Sequence, residues 1–218
     1  MSSPAYALRR SDRARRVRVS VRDDGMVEVV LPRRAPARLA DEAVVELAPW
    51  IARRRAEVDA VRARVAARNG TLPYLDETLT VRAEPGRTRV HRRGDLLLVP
   101  AADAEPAIER WYRRAARAEV EPRVAEATAA LGVAATKITI RNQRSRWGSC
   151  SASGALSFNW RLLLGPEEVL DYVVWHEACH LVHLDHSQAF WGLLGAHRPD
   201  YRRPQRWLRL HGGTLVLS

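Results

Sequence analysis

The chain has 218 residues, 46% of them hydrophobic, which is enough for one large domain or two smaller lobes with a real core. No run of about 18 apolar residues predicts a membrane-spanning helix, and the basic N-terminus lacks the apolar stretch of a signal peptide. We therefore expect a soluble, cytoplasmic protein without a membrane partner. Its two cysteines form no CxxC pair, and both fit a reducing compartment.

The formal net charge of +11 suggests a polyanionic partner such as nucleic acid. A second explanation competes with this one. Lys137 is the only lysine, and a coding sequence rich in G and C produces the same bias toward arginine and alanine. Nucleic acid therefore stays open as a partner but is not the favoured one, and the oligomeric state is not indicated.

The first elements in chain order are a flexible tail over residues 1–11 and then a β-hairpin. Apolar and polar residues alternate over 17–21 and again over 27–31. Asp23-Asp24-Gly25 lies between the two stretches and is typical of a turn.

Two long helical patterns follow, over residues 40–68 and 104–131. Pro49 indicates a break or a second start in the first, and Pro122 predicts an interruption of the second. Short strands are predicted between and after these helices, over residues 79–82, 88–91, 96–99, 137–141 and 155–160.

The last helices carry the most informative residues of the chain. Gly165-Pro166-Glu167-Glu168 is typical of a helix start, with proline in the first turn and two acids at the positive end of the helix dipole. Ser187 is a candidate N-cap for the next helix, which is expected to end before Pro199.

The chemistry-bearing motif is His176-Glu177-Ala178-Cys179-His180, an HExxH sequence on the first of these two helices. Residues four apart lie on one helix face, so His176 and His180 can reach one metal ion. Glu177 lies beside the first histidine and can take a proton from the attacking water. Cys179 is expected to be a small buried filler.

A catalytic zinc requires a third protein ligand, and His183 and His186 are the candidates. His183 lies on the same face as His176, but three ligands along one straight helix are nearly collinear. His186 approaches from another direction if the helix ends near Leu184-Asp185, where Asp tolerates a left-handed conformation. This geometry favours His186.

Several segments together resemble a known family: RWGSCS at 146–151, LSFNWRL at 156–162, DYVVWHEACHL at 171–181, HS at 186–187, FW at 190–191 and PDY at 199–201. The hairpin at Asp24-Gly25 and the helix at Trp50-Ile51 add to them. The resemblance is to the YgjP-like metallopeptidases, zincins related to the SprT-like and WLM proteins, over roughly residues 12–213. Cys179 and Asp185 depart from the usual pattern, but neither is a proposed ligand.

The resemblance implies that His176, His180 and His186 hold Zn2+ and that Glu177 is the general base. It also implies an α+β fold, with an N-terminal β-rich lobe at 12–104 and a zincin-like catalytic lobe at 105–218. In the catalytic lobe a small sheet is expected to pack on the HExxH helix.

Further polar residues are candidates for weaker roles. Substrate or oxyanion contacts are considered for Arg146, Asn159, His197 and Tyr201. Arg141 and Arg144 accompany Arg146 as candidates for gripping nucleic acid or a substrate carboxylate, and the strand before the helix is a candidate for binding an extended peptide. Asp171 and Asp185 are candidates for orienting ligand histidines, and Asp171, five residues before His176, has the alternative of pointing away.

The leading hypothesis is a zinc-dependent metallopeptidase with a protein or peptide substrate. The rival is a nucleic-acid-associated binding protein with a structural or vestigial metal site. The rival predicts salt-dependent DNA or RNA binding that survives loss of the metal ligands and of Glu177.

Overall fold

The structure, a computed structural model, describes residues 5–22, 24–143 and 146–217. Within these residues six α-helices and three small mixed sheets form an α+β protein, which confirms the fold class expected from the sequence. The chain separates into two compact units, one up to Ala67 and one from Arg68 onward.

The smaller unit contains one three-stranded sheet and two helices. They are β1 (Tyr6–Ser11), β2 (Arg18–Val21), β3 (Val27–Pro32), α1 (Arg38–Glu46) and α2 (Ala48–Ala66). The predicted hairpin is confirmed, because β2 pairs with β3 antiparallel. Gly25 has φ +79°, and the carboxylate of Asp24 accepts a hydrogen bond from the Met26 N–H in the turn; Asp23 lies outside the described residues.

A strand replaces part of the flexible tail expected over residues 1–11. β1 pairs with β3 in parallel, and β3 becomes the central strand of the order β1-β3-β2. Pairing satisfies the backbone groups on the second edge of β3, and Tyr6 packs against the core of this unit. The prediction failed because three exposed residues in a row interrupt the alternation of β1.

Pro49 marks a second helix start, one of the two outcomes expected for it. The first helix ends at Glu46, and Pro49 lies in the first turn of α2, where its missing N–H leaves no hydrogen bond unmade. The core of this unit is formed by Val27, Val29, Leu31, Ala40, Val44 and Ile51.

The larger unit contains two sheets and four helices. Its strands are β4 (Thr71–Tyr74), β5 (Glu77–Glu84), β6 (His91–Arg93), β7 (Leu96–Pro100), β8 (Lys137–Arg141), β9 (Gly148–Cys150) and β10 (Ala155–Asn159). Its α-helices are α3 (Ala104–Leu131), α4 (Glu167–Cys179), α5 (Gln188–His197) and α6 (Arg202–His211), with a 3-10 helix at Trp160–Leu164 before α4.

Strands 71–100 belong to the same compact unit as the HExxH helix, whereas the sequence places a lobe boundary at 104/105. These strands form the four-stranded sheet β4-β5-β7-β6. Leu79, Leu97 and Val99 join the hydrophobic core that also includes Tyr112 of α3 and Trp175 of α4. This shared hydrophobic core explains why these strands and the HExxH helix belong to one compact unit.

Helix α3 continues through Pro122, so the predicted interruption does not occur. Ala116, Val120, Val124 and Ala127 are all buried along one face on both sides of the proline. Burial of this face outweighs the backbone hydrogen bond that proline cannot make.

The sheet nearest the HExxH helix has the order β8-β10-β9. β10 is central, parallel to β8 and antiparallel to β9. Helix α4 contacts both β9 and β10, which places the sheet against the helix as expected. In the part of the chain that the structure describes, no helix has the length and apolarity to cross a membrane.

Candidate active site

Helix α4 carries the HExxH motif and is buried on most of its surface. The carboxylate of Asp76 accepts a hydrogen bond from the Glu167 N–H at 3.3 Å and so satisfies one free donor at the helix start. Buried apolar side chains lie on several sides of the helix, including Val169, Leu170, Val173, Val174 and Trp175. Burial on this scale fixes the position of a functional helix.

Three imidazoles converge at the C-terminal end of α4. The Nε2 atom of His176 lies 3.2 Å from that of His180 and 3.1 Å from that of His186. One ligand atom from each of these histidines lies within 4.8 Å of the others. His183, the alternative third ligand, does not belong to this group.

The loop after α4 brings His186 to the other two histidines. The helix ends at Cys179, earlier than the sequence suggests, and His180 is its C-cap. Asp185 does not adopt the left-handed conformation expected for it. Its carboxylate instead accepts a hydrogen bond from the Ser187 N–H at 3.1 Å, and Ser187 caps α5 through the Phe190 N–H.

A backbone carbonyl sets the tautomer of His180. Its Nδ1 lies 2.8 Å from the carbonyl oxygen of His183, and because a carbonyl can only accept, Nδ1 carries the hydrogen. The Nε2 lone pair therefore faces the other two imidazoles. His183 contributes to the site through its backbone and not through its ring.

His176 is held neutral by its surroundings. Burial, together with the neighbouring His180 and His186, lowers the pKa of His176 to about 3. A neutral imidazole keeps a lone pair, which a metal ligand requires.

Aromatic side chains of α5 enclose the three imidazoles. Phe190 stacks on His180 with a centroid distance of 4.4 Å, and Trp191 stacks on His186 at 5.5 Å. Tyr201 stacks in turn on Trp191 at 5.4 Å. Phe190 is fully buried, so the rings form an apolar wall that restricts the rotamers of the three histidines.

Glu177 is only 6% exposed, although it is an acid. Burial raises the pKa of Glu177 to about 7, against the smaller opposite effects of the Cys150 backbone N–H and the positive charge of Arg146. The same carboxylate and burial together raise the pKa of the Cys150 thiol, with burial the larger cause. Strand β9 therefore lies beside the proposed general base.

Gly148 of β9 makes the closest approach to Glu177. A Cβ atom built on Gly148 would lie 2.6 Å from both Cγ and Oε1 of Glu177, which no real side chain tolerates. The φ angle of Gly148 lies outside the left-handed region, so its backbone conformation does not require glycine. The glycine is required by the carboxylate packed against it.

The other predicted site residues fall into two groups. Arg146 is exposed and lies where its charge acts on Glu177, and Tyr201 reaches the histidines through Trp191. His197 stacks on Trp175 at 4.9 Å and makes no contact with the three imidazoles. Arg144 lies outside the described residues.

Asn159 is 3% exposed, and its amide is engaged with the backbone. Its Nδ2 donates to the carbonyls of Gln143 at 2.6 Å and Arg146 at 3.3 Å, and its Oδ1 accepts from the Arg161 N–H. These bonds hold the segment before β9 and begin the 3-10 helix. Its strand, β10, is also central in its sheet, so it has no free edge for an extended peptide.

Asp171 binds an arginine and not a ligand histidine. Arg198 Nε donates to Asp171 Oδ2 at 2.6 Å and Arg198 Nη2 to Oδ1 at 3.1 Å, while the guanidinium lies 4.1 Å above the Trp175 ring. The pair ties the residue after α5 to α4 and so supports the geometry that positions His186.

Truncation of this arginine is expected to destabilise the larger unit. Arg198→Ala removes a bidentate ion pair and a cation–π contact, which together stabilise by about 2 kcal/mol. Arg203→Ala is the matched control, because Arg203 is 78% exposed and lies 3.4 Å from Glu168, a geometry worth at most about 0.5 kcal/mol. Urea unfolding measures both, and equal losses of free energy would contradict the special role of Arg198.

A buried carboxylate beside three converging histidines on and after an HExxH helix defines a metallopeptidase-type site. A family model for the YgjP-like metallopeptidase domain matches residues 15–211, and the chain belongs to the YgjP-like metallopeptidase family. The family assignment makes it a metal-dependent peptidase.

The crystal structure of the metallopeptidase zymogen of Pyrococcus abyssi abylysin matches with 25% sequence identity and a TM-score of 0.38, over 43% of this chain and 92% of that one. No match was found among curated proteins.

Gly148 and the His183 carbonyl are the functional features that sequence reasoning missed. Gly148 lies in the RWGSCS segment, which contributed to the family resemblance without a role for its glycine. Neither feature has a local signal, because one depends on how β9 meets α4 and the other on the path of the loop after α4.

Proposed function

We propose that the protein is a zinc-dependent peptidase in which His176, His180 and His186 hold one zinc ion and Glu177 is the general base. The observation that carries the proposal is the convergence of three Nε2 atoms, two pairs of which are 3.1 and 3.2 Å apart. Three nitrogens bound to one tetrahedral ion at about 2 Å are separated by roughly 3.3 Å. Two of the three pairs match this spacing and all three ligand atoms lie within 4.8 Å of one another, which supports a shared ion.

The chemistry of the donors favours zinc among divalent metals. Three neutral imidazoles offer nitrogen ligands only, which suit zinc better than the oxygen-preferring magnesium or calcium. When bound, the ion supplies a Lewis acid that makes water acidic near neutral pH and polarises a carbonyl.

The residues of the chain perform the remaining steps. Glu177 accepts the proton of the attacking water and passes it to the nitrogen of the departing amine. Its burial beside Gly148 keeps the carboxylate in place, and the apolar wall of Phe190 and Trp191 limits access of bulk water. Arg146 and Tyr201 are proposed to contact the peptide near the reacting carbonyl.

The test is the metal content of the purified protein, measured by mass spectrometry beside His186→Ala and His183→Ala variants. We expect about one zinc per chain in the native protein and in His183→Ala, and loss of zinc in His186→Ala. His183→Ala is a matched control because it keeps the backbone carbonyl that orients His180.

Two outcomes would contradict the proposal. Zinc lost with His183 and kept with His186 would overturn the ligand set, and a protein that takes up no added metal would overturn the metal-dependent mechanism. The rival function, nucleic-acid binding with a structural or vestigial metal site, predicts salt-dependent DNA or RNA binding that survives loss of the metal ligands and of Glu177.

A further inference from the structure

Five arginines surround one cavity in the smaller unit. The cavity has a volume of about 400 Å³ and is lined by Arg9, Arg13, Arg15, Arg16 and Arg18. Its remaining lining residues are Ser11, a hydroxyl donor, and small or apolar residues. No acidic side chain lines it, so the cavity concentrates positive charge.

The chain brings these arginines together where β1 connects to β2. In β2, Val19 packs against the core of the smaller unit, which turns Arg18 to the opposite face, and Arg16 lies in the connection just before the strand. Residues 12–17 form the connection between β1 and β2 and bring Arg13 and Arg15 beside them. The cluster is thus a consequence of the fold and not only of composition.

The charges at this cavity are poorly compensated. In the described parts of the chain, the guanidinium groups of Arg13, Arg15, Arg16 and Arg18 make no hydrogen bond or ion pair, and Arg9 lies 3.5 Å from Glu28. A codon bias toward arginine explains their number but not their arrangement around one cavity without acids. Like charges held this close repel one another, and a bound anion relieves the repulsion.

Several other arginines of the same unit are engaged. Arg10 donates to the carbonyls of Arg33 and Ala35, and Arg55 donates to the carbonyl of Gly25. Arg33 pairs with Asp12. The cavity arginines therefore differ from neighbours that serve the structure of the unit.

We propose that this surface binds the phosphate backbone of nucleic acid. Guanidinium groups bind phosphate through paired hydrogen bonds. Contacts to phosphate carry no sequence information, so we expect the binding to be independent of DNA sequence.

The proposal does not rest on the proposed peptidase function, because the zinc ligands belong to the other compact unit. The experiment uses the full chain and fluorescence anisotropy with a labelled mixed-sequence DNA duplex of about 20 base pairs, between about 50 and 200 mM salt. The test variant is R13Q/R15Q/R16Q. The matched control is R34Q/R53Q/R64Q, which removes the same net charge from exposed arginines of the same unit that do not line the cavity.

We expect the native protein to bind DNA with an affinity that falls linearly with salt on logarithmic axes. The cavity variant should bind at least about tenfold more weakly, with a salt slope smaller by about two to three, whereas the control should stay within about twofold. R13K/R15K/R16K should keep the salt slope because it retains the charges, and it guards against a failure of the glutamine variant to fold.

Three results would overturn the proposal. One is equal weakening of binding in the cavity and control variants, which would assign the effect to net charge. Another is the absence of DNA binding by the native protein at the lowest salt. The last is binding to vesicles containing an anionic phospholipid, lost in the cavity variant, with no binding to DNA, which would assign the surface to a membrane.

Discussion

Exchange of Glu177 for glutamine is expected to lower peptide turnover roughly 10²- to 10⁴-fold, or about 3 to 5 kcal/mol in activation free energy, while the zinc content is unchanged. Glutamine has the same shape and still accepts a hydrogen bond from the Cys150 N–H, but its amide cannot take up a proton. The measurement is kcat on a denatured protein substrate such as casein, beside metal analysis of the same sample.

Glu168→Gln is the control for this substitution. This control changes the same residue type on the same helix, about two turns before the motif. There Glu168 makes a long ion pair with the exposed Arg203. Its turnover should stay within about twofold of the native value. A Glu177→Gln protein with native turnover would show that the buried carboxylate is not the general base.

Those parts of the fold that are decided by residues close together in the chain could be predicted from the sequence. The β2–β3 hairpin follows from two alternating stretches around Asp24-Gly25, and α4 and α5 follow from Pro166 and the Ser187 cap. Each of these signals acts within a few residues, where backbone preference and hydrogen bonding are decided locally.

The convergence of the histidines also follows from sequence, although its details do not. Helical spacing pairs His176 with His180, and collinearity argues against His183 as the third ligand. The end of α4 at Cys179 has no local signal in the sequence, whereas the Asp185–Ser187 hydrogen bond is a local turn that an aspartate two residues before a serine allows. The structure groups His176, His180 and His186 although α4 ends earlier than the sequence suggests, and their role as metal ligands stays a prediction.

Long-range pairing accounts for most of what could not be predicted. β1 is a strand because β3 offers it a free edge to pair with. The partners are distant in the chain: Tyr6 lies opposite Val27, which is 21 residues later. β9 has only three residues, too few to show a period of two, and exists because it pairs with β10. Contacts of this kind are tertiary and override local propensity.

Substitution of Gly148 by alanine is expected to reduce turnover by roughly 10²-fold without loss of zinc. The added Cβ would lie 2.6 Å from Cγ and Oε1 of Glu177 and 2.9 Å from Cδ, so either the carboxylate or β9 must move. β9 is held by antiparallel pairing with β10 at Phe158 and Leu156, whereas the carboxylate turns about single bonds. The side chain therefore yields, and the proton acceptor leaves its position.

Gly192→Ala is the matched control, because a Cβ at Gly192 meets no atom within 4 Å. Gly192 lies inside α5, where alanine raises helix stability by up to about 1 kcal/mol, so this variant should keep native turnover and unfold at a slightly higher temperature. Turnover and metal content of the two alanine variants can be compared with thermal unfolding of the same samples.

The pattern of effects distinguishes positioning of Glu177 from damage to the fold. Displacement of the base alone lowers kcat, leaves KM nearly unchanged and leaves zinc on His176, His180 and His186, because the three atoms nearest to the added Cβ belong to Glu177 and not to these imidazoles. Loss of zinc together with a lower kcat would mean that β9 supports the whole site. A native kcat would mean that the Glu177 carboxylate can move away from the added Cβ without loss of function. Because the three atoms nearest to a Cβ at Gly148 all belong to the proposed base, the alanine variant tests the position of Glu177 while the chemical identity of that residue stays unchanged.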